Sequence, residues 1–308
     1  MAGRARPNRH APGTDTPEPG ASRPPTTVDL HTHTTRSDGV LEPRTLVRDV
    51  AAAGVRVLAI TDHDTLAGYR ELTDQRISVP AGLELIPGVE INALARGIHL
   101  LDGELHILGF GMDPGDEVFE AVLARQRAAR RVRFERTVER LREIGMPIDA
   151  HVAAIDPSRD DALGRPTIAR ALIAAGFADS VEDAFRRLIG WGSPAYVPRE
   201  GLGPYDAIAA IRAAGGLPVL AHFSEAPTQV PLLEELRDRG LRGLEVYYRT
   251  FDATTVAAVA DVARRLRFVP TGGSDYHGDL GSYADAHAAL RVPPQVGERL
   301  REQLAQSR

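Results

Sequence analysis

The sequence predicts an α/β protein built as a barrel of parallel strands, with a helical subdomain inserted into it. Three observations lead to this fold class. Short apolar runs alternate with helical patterns from residue 27 onward, which is typical of repeated βα units. Aromatic residues make up only 5% of the 308 residues, so Ala, Val, Leu and Ile have to fill the interior, as in helix-covered parallel sheets. One stretch, about 113–203, shows helical patterns and no strand pattern.

Seven short apolar runs are predicted as strands, because each is followed by polar residues and then by a helical pattern. These runs cover residues 28–30, 55–60, 85–90, 105–110, 217–221, 243–247 and 268–271. Helices are predicted where apolar residues recur three and four positions apart. They cover residues 44–53, 204–214, 231–239, 253–266 and 295–304.

The chain divides into three parts by composition. Residues 1–25 are rich in Pro, Gly, Ala and Arg and lack apolar periodicity, so we expect a disordered tail. Residues 26–112 and 204–308 carry the strand patterns and form the predicted barrel domain. Residues 113–203 lie between the fourth and fifth strands and far exceed an ordinary crossover, so we expect an inserted helical subdomain there.

The first helix of the insertion, at about 116–144, carries a dense run of charges. Arginines alternate there with glutamates: Arg125, Arg127, Arg130, Arg131, Arg133, Arg136, Arg140 and Arg142 with Glu135, Glu139 and Glu143. Opposite charges three or four positions apart on a helix form ion pairs, so a solvated, salt-bridged face is the favoured interpretation. A wall that attracts phosphate groups is the alternative.

Charge and residue usage exclude several classes of protein. The 37 basic residues against 42 acidic ones give a net charge of -5, which argues against binding to duplex DNA or to a membrane surface. Every basic residue is Arg, which excludes Schiff-base catalysis and a P-loop lysine. Without Cys, only nitrogen and oxygen ligands remain for a metal. No segment resembles a transmembrane helix or a signal peptide, so we expect a cytoplasmic protein.

Potential metal ligands lie at or beside the predicted strand ends. His31 and His33 follow the first strand, and residues two apart in a strand point to the same side, so both imidazoles can face one centre. The other candidates are Asp38 in the turn that follows, His63, Glu90, His106, His222, Asp275 and His277. For His106, which lies within an apolar stretch, a core histidine is the alternative.

Six of the ten histidines and three acidic residues thus belong to strand ends. Parallel barrels gather the carboxyl ends of their strands on one face, where active sites lie. Imidazoles and carboxylates crowded together are costly unless cations bind them, so the sequence predicts a site for several metal ions. Asp29, Asp62 and Asp64 are candidates for orienting the imidazoles, with capping or turn roles as the alternative.

These segments resemble the PHP (polymerase and histidinol phosphatase) superfamily, in particular its branch of nucleotide phosphatases and 5′-3′ exoribonucleases. The motifs DLHTHTTRSDG, ITDHDT, GVEI, HILGF, VLAH and GGSDYHG occur in the family's order, and the resemblance covers residues of about 27–290. The resemblance implies a distorted (β/α)7 TIM-like barrel, the PHP fold, with a helical insertion over three divalent metal ions. Whether the metal is Mn, Zn or Fe is left open.

The resemblance also implies a role for each ligand. One metal would be held by His31, His33, Glu90 and Asp275, a second by Glu90, His106 and His222, and a third by Asp38, His63 and His277. Asp38, His63, Glu90 and His277 would take part in catalysis.

Substrate binding is predicted at Arg165. The segment 164–169 resembles one in which an arginine, followed two residues later by a histidine, holds a substrate phosphate, but Thr167 occupies the histidine position here. Arg165 keeps a guanidinium fork suited to phosphate. A surface role at a helix start is the alternative for Arg165.

The resemblance implies a hydrolase, a metal-dependent phosphoesterase. The implied substrates are small nucleotides, such as nucleoside 3′,5′-bisphosphates, and the 5′ ends of short RNA, attacked by a metal-bound hydroxide. The alternatives are a metal-dependent amidohydrolase on the same barrel and a non-catalytic metal-binding PHP module. The oligomeric state is not predicted.

Overall fold

The computed structural model describes residues 26–74, 79–95, 103–153, 163–278 and 281–306. Its centre is one seven-stranded sheet in which each strand pairs with its neighbours in chain order. The strands are β1 (Val28–Asp29), β2 (Val57–Ile60), β3 (Glu84–Leu94), β4 (Glu104–Phe110), β5 (Leu217–Leu220), β6 (Gly243–Tyr248) and β7 (Val269–Gly273). All seven predicted strands are confirmed, and β3 extends beyond its predicted end at residue 90.

The sheet nearly closes into a barrel because the chain after β1 returns to the end of β7. The Leu30 N–H donates to the Gly272 carbonyl at 3.1 Å, and Thr32 forms a parallel bridge with Tyr276. The predicted distorted barrel is confirmed by this arrangement.

One strand contradicts the prediction of a purely parallel barrel. β4 runs antiparallel to both β3 and β5, whereas the other neighbours pair in parallel. β3 ends at Leu94 and β4 begins at Glu104, so nine residues connect them, and the Ala95 N–H donates to the Gly103 carbonyl at 2.8 Å. A parallel crossover needs about a dozen residues or more. β3 and β4 therefore form a hairpin.

Helices surround the sheet. They are α1 (Pro43–Ala52), α2 (Ala67–Thr73), α3 (Glu117–Glu143), α4 (Asp149–Val152), α5 (Arg165–Ala174), α6 (Val181–Ala184), α7 (Pro204–Ala213), α8 (Val230–Asp238), α9 (Ala253–Leu266), α10 (Tyr283–Ala289) and α11 (Gln295–Gln306). Asp116 precedes α3 and caps its N-terminus, because its carboxylate accepts hydrogen bonds from the Val118 and Phe119 N–H groups. The short helices α2 and α10 are not predicted by the apolar spacing. All the helices predicted in the barrel are confirmed.

Strand periodicity separates the barrel interior from its surface. At one end of the interior, Val57, Leu108 and Val219 pack against Val296 and Leu300 of α11. Alternate residues, such as Val89, Ile91 and Leu244, face the outer helices instead. Because side chains alternate between the two faces, Glu90, His106 and Glu245 point inward above the apolar layer.

The described part of 113–203 contains helices and no strand. Its apolar side chains, including Phe134, Leu141, Ile168 and Leu172, form a buried cluster that is distinct from the clusters around the sheet. This is what a helical insertion would show, although the division at 113 and 203 stays a prediction. No helix in the described ranges is long and apolar enough to cross a membrane. The tail 1–25 lies outside the described residues, and the cytoplasmic location also stays a prediction.

Candidate metal centre

The structure brings all nine predicted ligands together at one end of the barrel. They form three overlapping groups in which one nitrogen or oxygen atom of each residue lies within 4.8 Å of the others. The groups are His31, His33, Glu90 and Asp275; Glu90, His106 and His222; and His33, Asp38, His63 and His277. Their membership matches the sets implied by the resemblance, except that His33 also joins the third group.

The first group is nearly closed off from solvent. His31 Nε2 lies 3.2 Å from Glu90 Oε2 and 3.3 Å from Asp275 Oδ1. His33 Nε2 lies 3.1 Å and 3.2 Å from the same two oxygens. Two imidazole nitrogens and two carboxylate oxygens therefore surround one point.

The second group uses the other oxygen of Glu90. Glu90 Oε1 lies 2.7 Å from His106 Nδ1 and 3.4 Å from His222 Nε2, and the two histidine nitrogens are 3.1 Å apart. Glu90 thus faces one group with each oxygen. His106, for which a core role was the alternative, has 25% of its side chain exposed and points into this group.

The third group surrounds Asp38, which the turn after β1 carries into the site. Asp38 Oδ1 lies 3.2 Å from His277 Nε2, and its Oδ2 lies 3.6 Å from His63 Nε2. The ring of His33 stacks on that of His277 with centroids 4.1 Å apart. Asp38 therefore faces the imidazoles of His63 and His277 in addition to forming the turn.

Several of these atoms are buried without a hydrogen-bond partner. Among the described residues they include His33 Nε2, Asp38 Oδ1, His63 Nδ1 and Glu90 Oε1. Adjacent ligand atoms around a first-row divalent ion lie about 3 Å apart when each is about 2.0–2.2 Å from the metal. The donor set and its spacing thus fit divalent metal ions, and similar shells form around Mn, Fe and Zn.

Electrostatics at the site favour positive charge at its centre. Burial would raise the pKa of Glu90, but His63, His31 and His106 hold it well below its usual value. Burial lowers the pKa of His277, but Asp38 and Asp275 more than offset this and raise it to about 10. Burial lowers the pKa of His63 to about 3, so this ring stays neutral and keeps a free lone pair. The carboxylates that hold a proton on His277 would equally attract a divalent cation, which would replace that proton, and His63 already has a lone pair free.

Glu245 on β6 is a site residue that the sequence reading missed. It is fully buried, and its Oε1 lies 3.1 Å from His31 Nδ1. Its Oε2 accepts a hydrogen bond from the His222 N–H at 2.7 Å. Glu245 therefore orients ligands of two groups at once, and it leaves His31 Nε2 directed at the centre. The sequence feature that could have indicated this role is the single carboxylate within the otherwise apolar predicted strand 243–247.

The Glu245→Gln variant is expected to bind divalent metal about 10- to 100-fold more weakly, because the amide cannot accept from both His31 and the His222 backbone as the carboxylate does. Equilibrium dialysis with elemental analysis measures the change. Glu235→Gln serves as the matched control, because Glu235 is exposed on α8 and lies outside the three groups. Equal metal affinity in Glu245→Gln and the wild type would show that Glu245 does not position the ligands.

The three aspartates expected to orient imidazoles have other roles. Asp29 accepts from the His31 N–H and from both the N–H and the hydroxyl of Ser274, so it ties the ends of β1 and β7 together. Asp62 accepts from the Thr34 N–H and hydroxyl and from the Ser37 hydroxyl. It thereby holds the turn between His33 and Asp38. These contacts agree with the alternative turn roles.

Asp64 contacts arginines instead of an imidazole in the part of the chain that the structure describes. It adopts a left-handed backbone conformation with φ of 56°, and its Oδ2 accepts from Arg130 at 2.6 Å and from Arg199 at 3.1 Å. His222 and Asp275 adopt positive φ values as well, 31° and 51°. Strained residues of this kind persist where the surrounding structure holds them, often at functional sites.

A cavity of about 260 Å³ opens beside the candidate metal ligands. Asp38, His63, Glu90, His106, Asp275 and His277 lie on its wall, together with Arg130, Arg133, Arg165 and Arg199. Arg165 is the first residue of α5, with its side chain 26% exposed and 3.6 Å from Glu104. It therefore both starts a helix and faces the cavity.

Some arginines of α3 form the predicted solvated face, and others line the cavity instead. Arg136 and Arg142 are exposed and pair with Glu200 and Asp149, as a solvated face requires. Arg130 and Arg133 are buried or nearly so and line the cavity. The favoured interpretation of a solvated face is therefore wrong for this second pair.

Two of the remaining histidines, His151 and His287, lie apart from the candidate metal ligands. His287 is buried on α10, with its Nε2 2.7 Å from the Thr26 carbonyl, and His151 is exposed on α4. His10 and His99 lie outside the described residues.

Comparison with known proteins identifies the family to which this chain is similar. The family model described as "PHP domain" matches residues 29–147. The 5′-3′ exoribonuclease Rnm of Salmonella typhimurium is 32% identical over 253 residues, which cover 81% of this chain and 84% of that protein. The 3′,5′-nucleoside bisphosphate phosphatase of Chromobacterium violaceum is 29% identical over 280 residues, covering 87% of this chain and 93% of that protein.

A solved structure agrees with these sequence matches. The crystal structure of a putative metal-dependent phosphoesterase from Bifidobacterium adolescentis superposes with a TM-score of 0.77 at 34% identity. The match covers 92% of this chain and 98% of that one, so it includes both the barrel and the helices between β4 and β5.

Proposed function

This chain belongs to the PHP domain family, and on that premise we propose that it is a metal-dependent phosphoesterase that hydrolyses phosphomonoesters of small nucleotides. Nucleoside 3′,5′-bisphosphates and the 5′ ends of short RNA are the proposed substrates. The observation that carries the proposal is the set of three His and carboxylate groups on the wall of an arginine-lined cavity.

We assign three divalent metal ions to the three groups. His31, His33, Glu90 and Asp275 would hold one, and Glu90, His106 and His222 a second that shares the glutamate. Asp38, His63 and His277 would hold the third, with His33 in contact. Manganese, zinc and iron all suit such a donor set, so the metal present in the cell depends on supply as well as on the ligands.

When bound, divalent ions at this site would polarise the phosphoryl oxygens and lower the pKa of the attacking water. The chain's own residues position the metal ions and the substrate phosphate, and they keep bulk water out of the site. Four of the proposed metal ligands also line the cavity and would contact a phosphate bound there: Asp38, His63, Glu90 and His277. The left-handed backbone at Asp275 and the hydrogen bond from the Tyr248 hydroxyl to Asp275 Oδ2, 2.9 Å long, fix that carboxylate before substrate arrives.

The arginine side of the cavity supports an anionic substrate. Arg165 points toward the cavity with its guanidinium 5.2 Å from the Phe185 ring centroid, so its fork is held in place while part of it stays accessible. Planar forks of this kind match phosphate oxygens in pairs. We therefore assign substrate binding to Arg165.

The Arg165→Ala variant is expected to raise KM for a nucleoside 3′,5′-bisphosphate about tenfold or more with a smaller change in kcat, because a charge-assisted contact to bound substrate is lost. Steady-state phosphate release measures both constants. Arg186→Ala, on an exposed arginine paired with Asp183 in the same helical region, is the control. An equal loss on singly phosphorylated substrates would contradict this assignment.

Phosphate release from a small panel tests the proposed function. The panel contains adenosine 3′,5′-bisphosphate, AMP, histidinol phosphate and p-nitrophenyl phosphate, each with Mn, Zn or Fe supplied. We expect release from the two nucleotides. If fully metal-loaded protein releases no phosphate from any of the four compounds, the phosphoesterase is excluded. Hydrolysis of amide substrates in a separate assay would then support the amidohydrolase alternative.

A further inference from the structure

Trp191 is the single tryptophan of the chain, and 72% of it is exposed. It lies between α6 and α7, in the segment that leads from the helical insertion back to the barrel. A tryptophan usually buries most of its surface, because the indole ring is largely apolar. This ring therefore contributes little to the packing of the described fold and is accessible to a ligand.

The indole ring of Trp191 rests on a fixed support. It meets the ring of Tyr196 edge to face, with centroids 5.2 Å apart and an angle of 66° between the planes. The guanidinium carbon of Arg133 lies 5.9 Å from the centroid of the Tyr196 ring. Arg133 Nε in turn donates to the Val197 carbonyl at 2.9 Å, which ties this support to α3. A ring held in this way loses little freedom when a ligand binds.

Two connections place Trp191 beside the cavity at the metal centre. One is the support just described, because Arg133 lines the cavity. The other is Phe185, which also lines it and whose carbonyl accepts from the Gly190 N–H at 2.8 Å, directly before Trp191. Among the described residues, Trp191 itself is not part of the cavity wall. A ligand would reach the indole only if it extended beyond the cavity.

The surroundings of the indole leave room for a flat ligand. Gly190 and Gly192 flank Trp191, and Ser193 follows. Gly192 has a positive φ of 72°, and a Cβ atom at this position would have no atom within 4 Å in the described ranges apart from its own neighbours in the chain. Arg140 Nε donates to the Pro194 carbonyl at 2.6 Å and so brings a cation to the same segment.

This combination fits a nucleobase better than a protein surface. Docking of a protein usually needs a contiguous apolar patch of a few hundred Å². The sequence neighbours of Trp191 are glycines and a serine, which add no large apolar side chain. A rigid aromatic ring near a cation is the usual means of binding single-stranded nucleic acid.

We propose that Trp191, supported by Tyr196, stacks on a nucleobase of a short RNA whose 5′ end occupies the cavity at the metal centre. The placement of the 5′ end rests on the proposed function. The stacked base belongs to a nucleotide downstream of the 5′ one, so Trp191 favours oligoribonucleotides over mononucleotides. Because every base has a π face, this preference is independent of sequence.

The fluorescence of the only tryptophan tests the contact directly. Metal-loaded full-length protein is mixed with 5′-phosphorylated triadenylate RNA in a stopped-flow instrument, and emission is recorded before turnover. We expect saturable quenching by this RNA. We expect little quenching by AMP, or by a 5′-phosphorylated trinucleotide of the same length that carries abasic riboses at its second and third positions.

Steady-state kinetics tests the predicted preference. The ratio of kcat/KM for triadenylate to that for AMP is measured in wild type, Trp191→Ala, Trp191→Phe and Val118→Ala, and thermal melting confirms that each variant folds. Trp191→Ala is expected to lower this ratio about 5- to 100-fold, mainly through KM, whereas Trp191→Phe retains most of it. Val118→Ala is the matched control and should equal the wild type, since Val118 is 76% exposed near the start of α3 and does not line the cavity in the described structure.

The inference would be overturned by the absence of quenching with triadenylate, by equal quenching with the abasic RNA, or by an unchanged ratio in folded Trp191→Ala. Hydrolysis of mononucleotides would leave the phosphoesterase intact in each of these cases. Self-association that is lost in Trp191→Ala, without quenching by RNA, would assign the indole to a protein contact instead. Base-dependent quenching without turnover of any substrate would support the stacking contact and count against the proposed function.

Discussion

Glu90→Gln is expected to lower kcat by about a thousandfold or more on any phosphomonoester. Glu90 is 1% exposed, and each of its oxygens faces a different group of ligands. Replacing one oxygen by an amide nitrogen removes a ligand atom from one group and places a donor among imidazoles. Phosphate release and metal content by elemental analysis measure the two consequences.

Glu84→Gln provides a matched comparison on the same strand. Glu84 is exposed at the start of β3 and pairs with Arg301, so its loss should leave both activity and metal content unchanged. A Glu90→Gln protein that keeps a tenth of wild-type turnover would show that the shared carboxylate is not central to catalysis.

His33→Ala is expected to abolish measurable turnover and to remove at least one equivalent of metal. His33 is fully buried, lies in two of the three groups, and contacts Glu90 and Asp275 through Nε2. Its ring also stacks on His277, so its removal opens a space next to a second predicted ligand. Elemental analysis and phosphate release report the two losses.

His151→Ala is the control for this variant, because His151 is exposed on α4 and lies outside the three groups. It should behave as the wild type does. If His33→Ala retains the full complement of metal with substantial activity, the proposed arrangement of ligands is wrong.

Most of the candidate site could be predicted from the sequence because the chemistry is concentrated at strand ends. The polar residues that interrupt apolar runs, such as His31, Glu90 and His222, can lie only where the chain leaves the sheet or faces the barrel interior. The closure of the barrel then brings them together. Their roles as metal ligands remain predictions that the geometry supports.

What could not be predicted depends on long-range pairing. The direction of β4 is set by its hairpin with β3, and an apolar run carries no information about direction. The contact of Glu245 with His31 could not be predicted, because Glu245 lies within a strand and not at its end. Only the closure of the barrel brings it to His31. The spacing of charges along α3 predicts a solvated face for Arg133, which instead lines the cavity, because spacing does not reveal which side of a helix is covered.

Anomalous X-ray diffraction from crystals soaked in manganese tests the central claim most directly. The account predicts three anomalous peaks, each within coordination distance of the ligand atoms of one group, with Glu90 between two of them. The account would be contradicted if no anomalous peak lay among these nine side chains. It would also be contradicted if the metal ions were bound elsewhere and the nine side chains pointed away from one another.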